Sequence, residues 1–384
     1  MRSMTIAVVC DVPVNEKNGT AVATMNLVNG LKARGHTVRV VCPDEKMRGQ
    51  PGYYVVPSIN FGPLNRYVRK NGVVIARPDK ATMRQALEGA DAVHVIIPFF
   101  LAYCAIHIAQ ELGIPVTAGF HCQAENLSNH LFLMNARAVN RLVYKIFYRY
   151  IYSRVDCIHY PTQFIRDVFE TQIGRKTNGR VISNGVNSEF IRCRGPKPPE
   201  YADRYVILFT GRYSKEKSHR VLVNGVRRSK HAGQIQLIFA GDGPRKRWLK
   251  HYCKRRLPVQ PVFGFFKRSE LVRIINYADL YVHPAEIELE GIACLEALKC
   301  GLVPVLSDSK RSATRFFARD ERNLFACNDS RDLAAKIDYW LENPIQWQAC
   351  SDAYAEHAAQ LSLERCMDEM EQMICSNVRL ERDA

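Results

Sequence analysis

Short apolar, β-branched runs alternate with longer amphipathic stretches from the first residues onward. Thr5 to Cys10 and Val38 to Cys42 are such runs. Between them, Ala21 to Arg34 sets Val22, Met25, Leu27, Val28 and Leu31 along one side of a helix. Further runs at Ala92–Ile97, Pro115–Ala118 and Cys157–Tyr160 continue the series. It restarts at Tyr205–Thr210, Ile235–Ala240, Leu280–Val282 and Val303–Leu306. Strands that read apolar throughout, separated by polar-faced helices, predict parallel sheets covered on both faces. The expected fold class is α/β, with two doubly wound domains facing a cleft and ligands outside the C-terminal strand ends.

The densest proline stretch, Gly195-Pro196-Lys197-Pro198-Pro199, lies within Arg192–Arg204 and reads as a linker. The expected division is a first domain 1–191, a linker 192–204, a second domain 205–351 and a tail 352–384. From Asp352 to Arg382 the tail carries one long helical pattern, acidic in an otherwise basic chain.

A length of 384 residues suits two such domains, and 47% hydrophobic with 24% charged residues excludes wholesale disorder. Lys and Arg number 54 against 38 Asp and Glu, a net charge of +16. That surplus favours an anionic partner: a phosphorylated substrate, an anionic membrane surface or nucleic acid. Nucleic acid is disfavoured, because the cations are spread and no helix-turn-helix, RNA-recognition or zinc pattern appears. The 13 cysteines are scattered, odd in number and without a CxxC pair, so free thiols in a reducing cytosolic compartment are expected. The apolar stretch Ala90–Ala109 is interrupted by Asp91, His94, Pro98 and His107. It reads as a strand followed by a helix, so a soluble or peripheral protein is expected.

The richest candidate chemistry lies in Glu286-Ile-Glu288-Leu-Glu290-Gly291-Ile292, leading into a helix that contains Glu296 and stops at Gly301. It follows a strand ending at His283-Pro284. A helix starting at Gly291 and Ile292 at the C-terminal edge of a parallel sheet points unpaired N–H groups toward a phosphate. Glu288 can then face a ligand near the loop while Glu296 accepts from a diol. The competing reading is a solvated acidic loop. Gly211-Arg212…Lys217 follows the first strand of the second half, where Arg212 and Lys217 can neutralise a diphosphate. Gly241-Asp242-Gly243-Pro244 is a turn at another strand end that permits close ligand approach. In the first half, Asn18-Gly19-Thr20 opens a helix and can set N–H groups against a phosphate, or Thr20 is simply its cap. His121 follows a strand within Phe120-His121-Cys-Gln123-Ala-Glu125-Asn126, and Ser183-Asn184-Gly185 forms a tight turn.

The order Asn18-Gly19-Thr20, His121, Asn184-Gly185-Val186, Gly211-Arg212…Lys217, Gly241-Asp242-Gly243-Pro244 and Glu288…Glu296 resembles the retaining glycosyltransferases of family four, over nearly the whole chain. His283-Pro-Ala-Glu-Ile-Glu-Leu-Glu-Gly-Ile and Ser307-Asp308-Ser309-Lys310-Arg311-Ser312-Ala313-Thr314 are similar to bacterial diacylglycerol glucosyltransferases. The sequence departs from the family at Asn18-Gly19, where a glycine pair is usual, and at Leu289-Glu290, where Gly-Phe is common. The resemblance implies a GT-B fold of two Rossmann-like domains, with the C-terminal helix crossing back to the first. It implies Arg212 and Lys217 on a diphosphate, Glu296 on the ribose and Glu288 at the donor sugar. Gly19 would lie near the phosphates, and His121 near the reacting carbon. Binding contributions then fall to Gly19, Thr20, Asn184, Gly211, Gly241, Gly243, Gly291 and Ile292. Catalytic work falls to His121, Glu288, Arg212 and Lys217. It further implies a UDP-sugar donor, glucose as the hexose, no cofactor and no dedicated metal. No Asp-x-Asp occurs in the chain.

Arg137, Arg141, Lys145 and Arg149 recur every fourth residue, and Val139, Leu142, Val143, Ile146, Phe147 and Tyr150 at threes and fours. The segment Arg137–Arg154 therefore reads as an amphipathic helix able to lie on an anionic membrane, or as one whose apolar face is core and whose basic face meets water. Asn65-Arg66-Tyr67-Val68-Arg69-Lys70 adds a second basic, aromatic patch. The expectation is a hexosyltransferase acting on a lipid such as diacylglycerol, cytoplasmic and peripheral at the inner face of the membrane. The alternatives are a soluble or polyprenyl-linked saccharide acceptor, or a sugar-nucleotide epimerase. Oligomeric state is left open.

Overall fold

The computed structural model describes residues 2–14, 19–60, 62, 75–130, 135–358, 362–376 and 378. Asn18 and the patch Asn65–Lys70 lie outside them. The chain divides into two compact units, residues 1–184 with 364–384, and residues 185–363.

In the first unit the strands are β1 (Thr5–Val9), β2 (Thr37–Cys42), β3 (Tyr53–Val55), β4 (Ala92–Val95), β5 (Val116–Gly119), β6 (Cys157–Tyr160) and β7 (Gly179–Val181). They form one sheet in the order β3-β2-β1-β4-β5-β6-β7, parallel throughout. The helices between them are α1 (Gly19–Ala33), α2 (Lys80–Leu87), α3 (Phe100–Glu111), α4 (Ala124–His130), α5 (Arg137–Tyr150) and α6 (Gln163–Ile173). Local chemistry sets their ends. Asp79 caps α2 by accepting from the Thr82 N–H, and Thr162 caps α6 by accepting from Ile165. Gly174, left-handed at φ +76°, closes α6.

The second unit carries β8 (Tyr205–Thr210), β9 (Ile235–Ala240), β10 (Val262–Gly264), β11 (Leu280–His283), β12 (Pro304–Ser307) and β13 (Leu324–Phe325). Their order is β10-β9-β8-β11-β12-β13, again parallel. The helices are α7 (His219–Arg228), α8 (Lys246–Lys254), α9 (Arg268–Tyr277), α10 (Ile292–Lys299), α11 (Ser330–Glu342) and α12 (Pro344–Ala358). Alternate residues of one strand serve opposite faces. Val206 and Leu208 join the core on one side of the sheet, Ile207 and Phe209 that on the other. In each sheet the order reverses at the first strand of its unit, β1 beside β4 and β8 beside β11. Ligands of open parallel sheets bind at the C-terminal ends of such pairs.

Two boundaries differ from the sequence expectation. The proline-rich segment 192–204 belongs to the second unit and is fastened to it. The Cys193 N–H donates to Asn276 Oδ1 at 2.6 Å, Lys197 pairs with Asp279 at 2.6 Å, and Pro199–Tyr201 forms a 3-10 turn. The chain instead leaves the first unit at Asn184. The tail is two helices rather than one. α12 ends at Ala358 within the second unit, and α13 (Leu363–Cys375) packs against α1 of the first. There a Cβ on Gly30 would lie 2.8 Å from Met367, and Glu371 accepts from buried His36 at 2.9 Å.

Helix α5 also differs. Asn140, Tyr144 and Phe147 face the core, while Leu142, Ile146 and Tyr150 are exposed at 58, 45 and 44%. They run beside Arg141, Lys145 and Arg149, all exposed, so a basic and an apolar stripe share the outer surface. Phe100 and Tyr103 of α3 are exposed too, Tyr103 meeting Tyr150 edge-on at 6.1 Å. Among the described residues no helix is long and apolar enough to cross a membrane, and all thirteen cysteines are free thiols.

Candidate active site

At the C-terminal ends of β8 and β11 a line of polar side chains leads from the sheet to its edge. Thr210 Oγ1 lies 3.0 Å from the Tyr281 hydroxyl, which lies 3.0 Å from His283 Nδ1. His283 Nε2 lies 3.1 Å from Glu288 Oε2, and the same oxygen takes an ion-pair hydrogen bond from Lys217 Nζ. Thr210, Tyr281 and His283 are buried. Burial would raise the Glu288 carboxyl, but the Lys217 ammonium and the His283 hydrogen bond outweigh it and hold the group at about 2. Burial also lowers His283 below the usual histidine value, against the pull of Glu288, and raises the Tyr281 hydroxyl well above its ordinary range.

Glu288 is also fixed through its backbone, its carbonyl accepting from the Ala313 N–H at 2.9 Å. Two residues earlier, Glu286 is ion-paired with Arg311. Glu290 is buried. The acidic loop is therefore not a solvated one. Gly291, at φ +89°, starts α10 at Ile292. A Cβ there would lie 2.5 Å from Thr314, so neighbouring chain alone demands glycine. Glu296, more than a turn into α10, is pushed up to about 7 by burial, which Arg268 only partly offsets.

The loops after β8 and β9 are sewn to one another. The Gly211 N–H donates to Ala240, Tyr213 to Asp242, and Arg245 to Tyr213. A Cβ on Gly241 would lie 2.0 Å from the Gly211 carbonyl oxygen, and one on Gly243 2.6 Å from the Tyr213 nitrogen. These two glycines thus have a reason within the protein, apart from any approach to a ligand. Arg212 sits half-buried in the β8–α7 loop. Ser218, next to Lys217, is left-handed at φ +48°, an uncommon conformation for a residue with a Cβ.

In the first unit, His121 lies after β5 with His159 at 5.3 Å between ring centres. Both line a small pocket with Ser183, Asn184, Met367 and Met370. Burial, then the neighbouring His159 and His94, hold His121 well below the usual histidine range, so it is neutral at pH 7. Glu125, grouped with His121 in sequence, is taken by the Tyr144 hydroxyl at 2.6 Å and ties α4 to α5. Gly19 and Thr20 open α1. A Cβ on Gly19 would meet nothing within 4 Å.

Sequence reasoning brought Lys217 and Glu288 to one site but missed Tyr281, His283 and Arg311 as its supports. The available signal was the polar pair Tyr281 and His283 inside an otherwise apolar strand, Leu-Tyr-Val-His. Among the described residues no group of three or more His, Cys, Asp and Glu is arranged to hold a metal.

Residues 17–190 match the sequence pattern of Glycosyltransferase Family 4, and residues 195–357 that of Glycosyl transferases group 1. The chain belongs to the family-four glycosyltransferases, and its two parallel-sheet, Rossmann-like units are those of the GT-B fold. The alpha-monoglucosyldiacylglycerol synthase of Acholeplasma laidlawii is 24% identical over 363 residues, 85% of each chain. A GDP-mannose-dependent alpha-mannosyltransferase of Corynebacterium glutamicum is 25% identical over 309 residues, 79% of this chain and 72% of that one. Among solved structures, Anabaena HepE in complex with UDP and glucose is alike in fold, with a TM-score of 0.74, 16% identity and coverage of 97% of this chain and 100% of that one.

Proposed function

We propose that this glycosyltransferase moves glucose from a UDP-sugar to the hydroxyl of a membrane lipid such as diacylglycerol, with retention, forming an α-glycosidic bond. The observation that carries the donor side is the Lys217–Glu288 pair at the β8–β11 end of the second sheet. A cation beside a fixed carboxylate suits a diphosphate next to a sugar hydroxyl. In this reading Lys217 and Arg212 hold the diphosphate, Glu288 the sugar and Glu296 the ribose. The bond from the anomeric carbon to the diphosphate breaks and one to the lipid oxygen forms. The lipid hydroxyl's proton passes to the departing diphosphate. His121, being neutral, serves as a hydrogen-bonding group. The cations and the start of α10 supply the positive field, so no dedicated metal is needed.

The lipid side is supported by α5, whose outer surface offers cations to anionic headgroups and apolar side chains to the acyl boundary. It is supported too by the likeness to the Acholeplasma synthase. The protein would then be cytoplasmic and peripheral at the inner face of the membrane. A second reading, GDP-mannose as donor, is favoured by the Corynebacterium relative. Nucleotide release from UDP-glucose and from GDP-mannose should be measured with vesicles containing diacylglycerol, with a soluble saccharide acceptor and with no acceptor, with mass spectrometry of the product. UDP-dependent transfer to diacylglycerol is expected. Turnover only with GDP-mannose, or only with saccharide acceptors, overturns the proposal.

A further inference from the structure

We propose that His283 and Tyr281 are positioning residues that hold the Glu288 carboxylate fixed by setting a single tautomer of the imidazole; the proposal rests on the donor-site reading above. The polar line from Thr210 to Glu288 admits one arrangement of protons. An ionised Glu288 only accepts, so His283 Nε2 carries the hydrogen that points at Oε2. A neutral imidazole then has a lone pair at Nδ1, and the Tyr281 hydroxyl must donate to it. The tyrosine oxygen in turn accepts from the Thr210 hydroxyl. Every bond runs in one direction, from the sheet interior to the carboxylate. The reverse tautomer would aim a lone pair at the Glu288 oxygen.

Lys217 and His283 share Oε2 but differ in permanence. The lysine sits in the β8–α7 loop, two residues before α7, and has three donors to offer a diphosphate. The imidazole is buried, stacked near Tyr281 at 5.9 Å between ring centres, and bonds the Glu288 carboxylate through Nε2. When a donor draws Lys217 toward its phosphates, His283 still fixes Oε2 and so keeps Oε1 turned to the sugar. The residues thus act on the orientation of the sugar, not on the grip on the nucleotide.

Three variants separate this from a merely structural role. His283→Phe keeps a planar aromatic ring and removes the donor. His283→Gln restores an N–H at the Nε2 position. Tyr281→Phe removes only the hydroxyl that selects the tautomer. His283→Phe is expected to lower kcat roughly a hundredfold, with the Kd for UDP within about twofold of wild type. His283→Gln should recover most of that loss. Tyr281→Phe should lower kcat about tenfold, since nothing then selects the Nε2–H tautomer. Nitrogen NMR of the unliganded protein, labelled on histidine, reads the tautomer directly and needs no turnover. It should show His283 neutral with the hydrogen on Nε2, and a mixture in Tyr281→Phe. An Nδ1–H tautomer or an imidazolium at pH 7 overturns the proposal. So does a His283→Phe variant with unchanged kcat, or a His283→Gln no better than it. Failure of wild type to turn over either sugar nucleotide would instead sink the donor reading and leave the NMR test standing.

Discussion

Glu288 and Lys217, 71 residues apart in sequence, meet in an ion pair, so a diphosphate that binds this lysine shares it with the carboxylate. Replacing the carboxylate should therefore separate binding from turnover. Glu288→Gln is expected to cut transfer about a hundredfold, through loss of a charged hydrogen bond to the sugar. It should also tighten UDP severalfold, because Lys217 no longer has a competitor. Lys217→Met should weaken both. Calorimetry with UDP beside initial-rate assays checks this; a Glu288→Gln variant with weaker UDP binding would show that the pair does not compete.

The same pair predicts acid sensitivity. Glu288 sits at about 2, below its unfolded value, so the stability it contributes is present above the unfolded pKa. That contribution is lost as pH falls from about 4.5 toward 2. In Lys217→Met the carboxylate keeps its burial but loses its main counter-charge. The variant's melting temperature should fall several degrees below wild type at pH 7, and the gap should shrink as pH falls from about 4.5 toward 2. A gap that stays constant with pH would count against the pairing.

Glu296 has the opposite sign. Its pKa is raised to about 7, so its favourable contribution is present below about 4.5 and is lost as pH rises through 7. Glu296→Gln copies the protonated form. It should match wild type at pH 5, melt a few degrees higher at pH 8, and bind the donor more weakly at both. Thermal scans across pH decide it, and identical curves would mean that the carboxyl is not destabilised by burial. A gain in stability at the expense of binding is what a binding group held in an unfavourable environment should show.

Two glycines should behave differently although both were candidates for ligand approach. Gly241→Ala puts a Cβ 2.0 Å from a carbonyl oxygen and should cost several kcal/mol, read as a collapsed melting temperature. Gly19→Ala meets open space and should leave the melting temperature within a degree or two. Any loss of donor affinity in Gly19→Ala would then report a ligand and not the fold.

The two stripes of α5 predict two components of membrane binding. Replacing Arg137, Arg141, Lys145 and Arg149 by glutamine removes about 1 kcal/mol each near an anionic surface, about a thousandfold in vesicle affinity at low salt. Added salt should abolish the difference. Replacing Leu142, Ile146 and Tyr150 by serine should weaken binding by an amount that salt does not change. Vesicle sedimentation across salt and anionic-lipid fraction tests both. If neither variant differs from wild type, α5 is a solvated face.

The sequence was most legible where strands are buried on both sides. Nine strands announce themselves as β-branched runs because parallel neighbours and helices cover them completely. The four it did not announce, β3, β7, β10 and β13, are the outer strands of the two sheets, each two or three residues long and less fully buried. An edge strand that short has neither the run nor the alternation that a pattern needs. At the site, Lys217 and Glu288 were legible from residue type and from their positions after strand ends. Tyr281 and His283 were not, because a polar pair in a strand shows its role only once the partners across the sheet edge are known. Helix α5 was legible as a helix but not in its facing. Tyr144 and Asn140 turn inward, Tyr144 to reach Glu125, and so leave Leu142 and Ile146 outside.

The docking of α13 on α1 sets the order in which this protein can be finished. The face of α1 that Met367 covers belongs to a unit whose first 184 residues leave the ribosome long before residue 367 is made. The intervening residues 185–363 form a contiguous unit that can close on its own as it emerges. At ordinary rates of synthesis this leaves the first unit incomplete for on the order of ten seconds or more. The half that is translated first is thus the half completed last, and His36 finds Glu371 only then. A chain cut before residue 364 would carry a complete second unit and a first unit with the Met367-covered face of α1 laid bare.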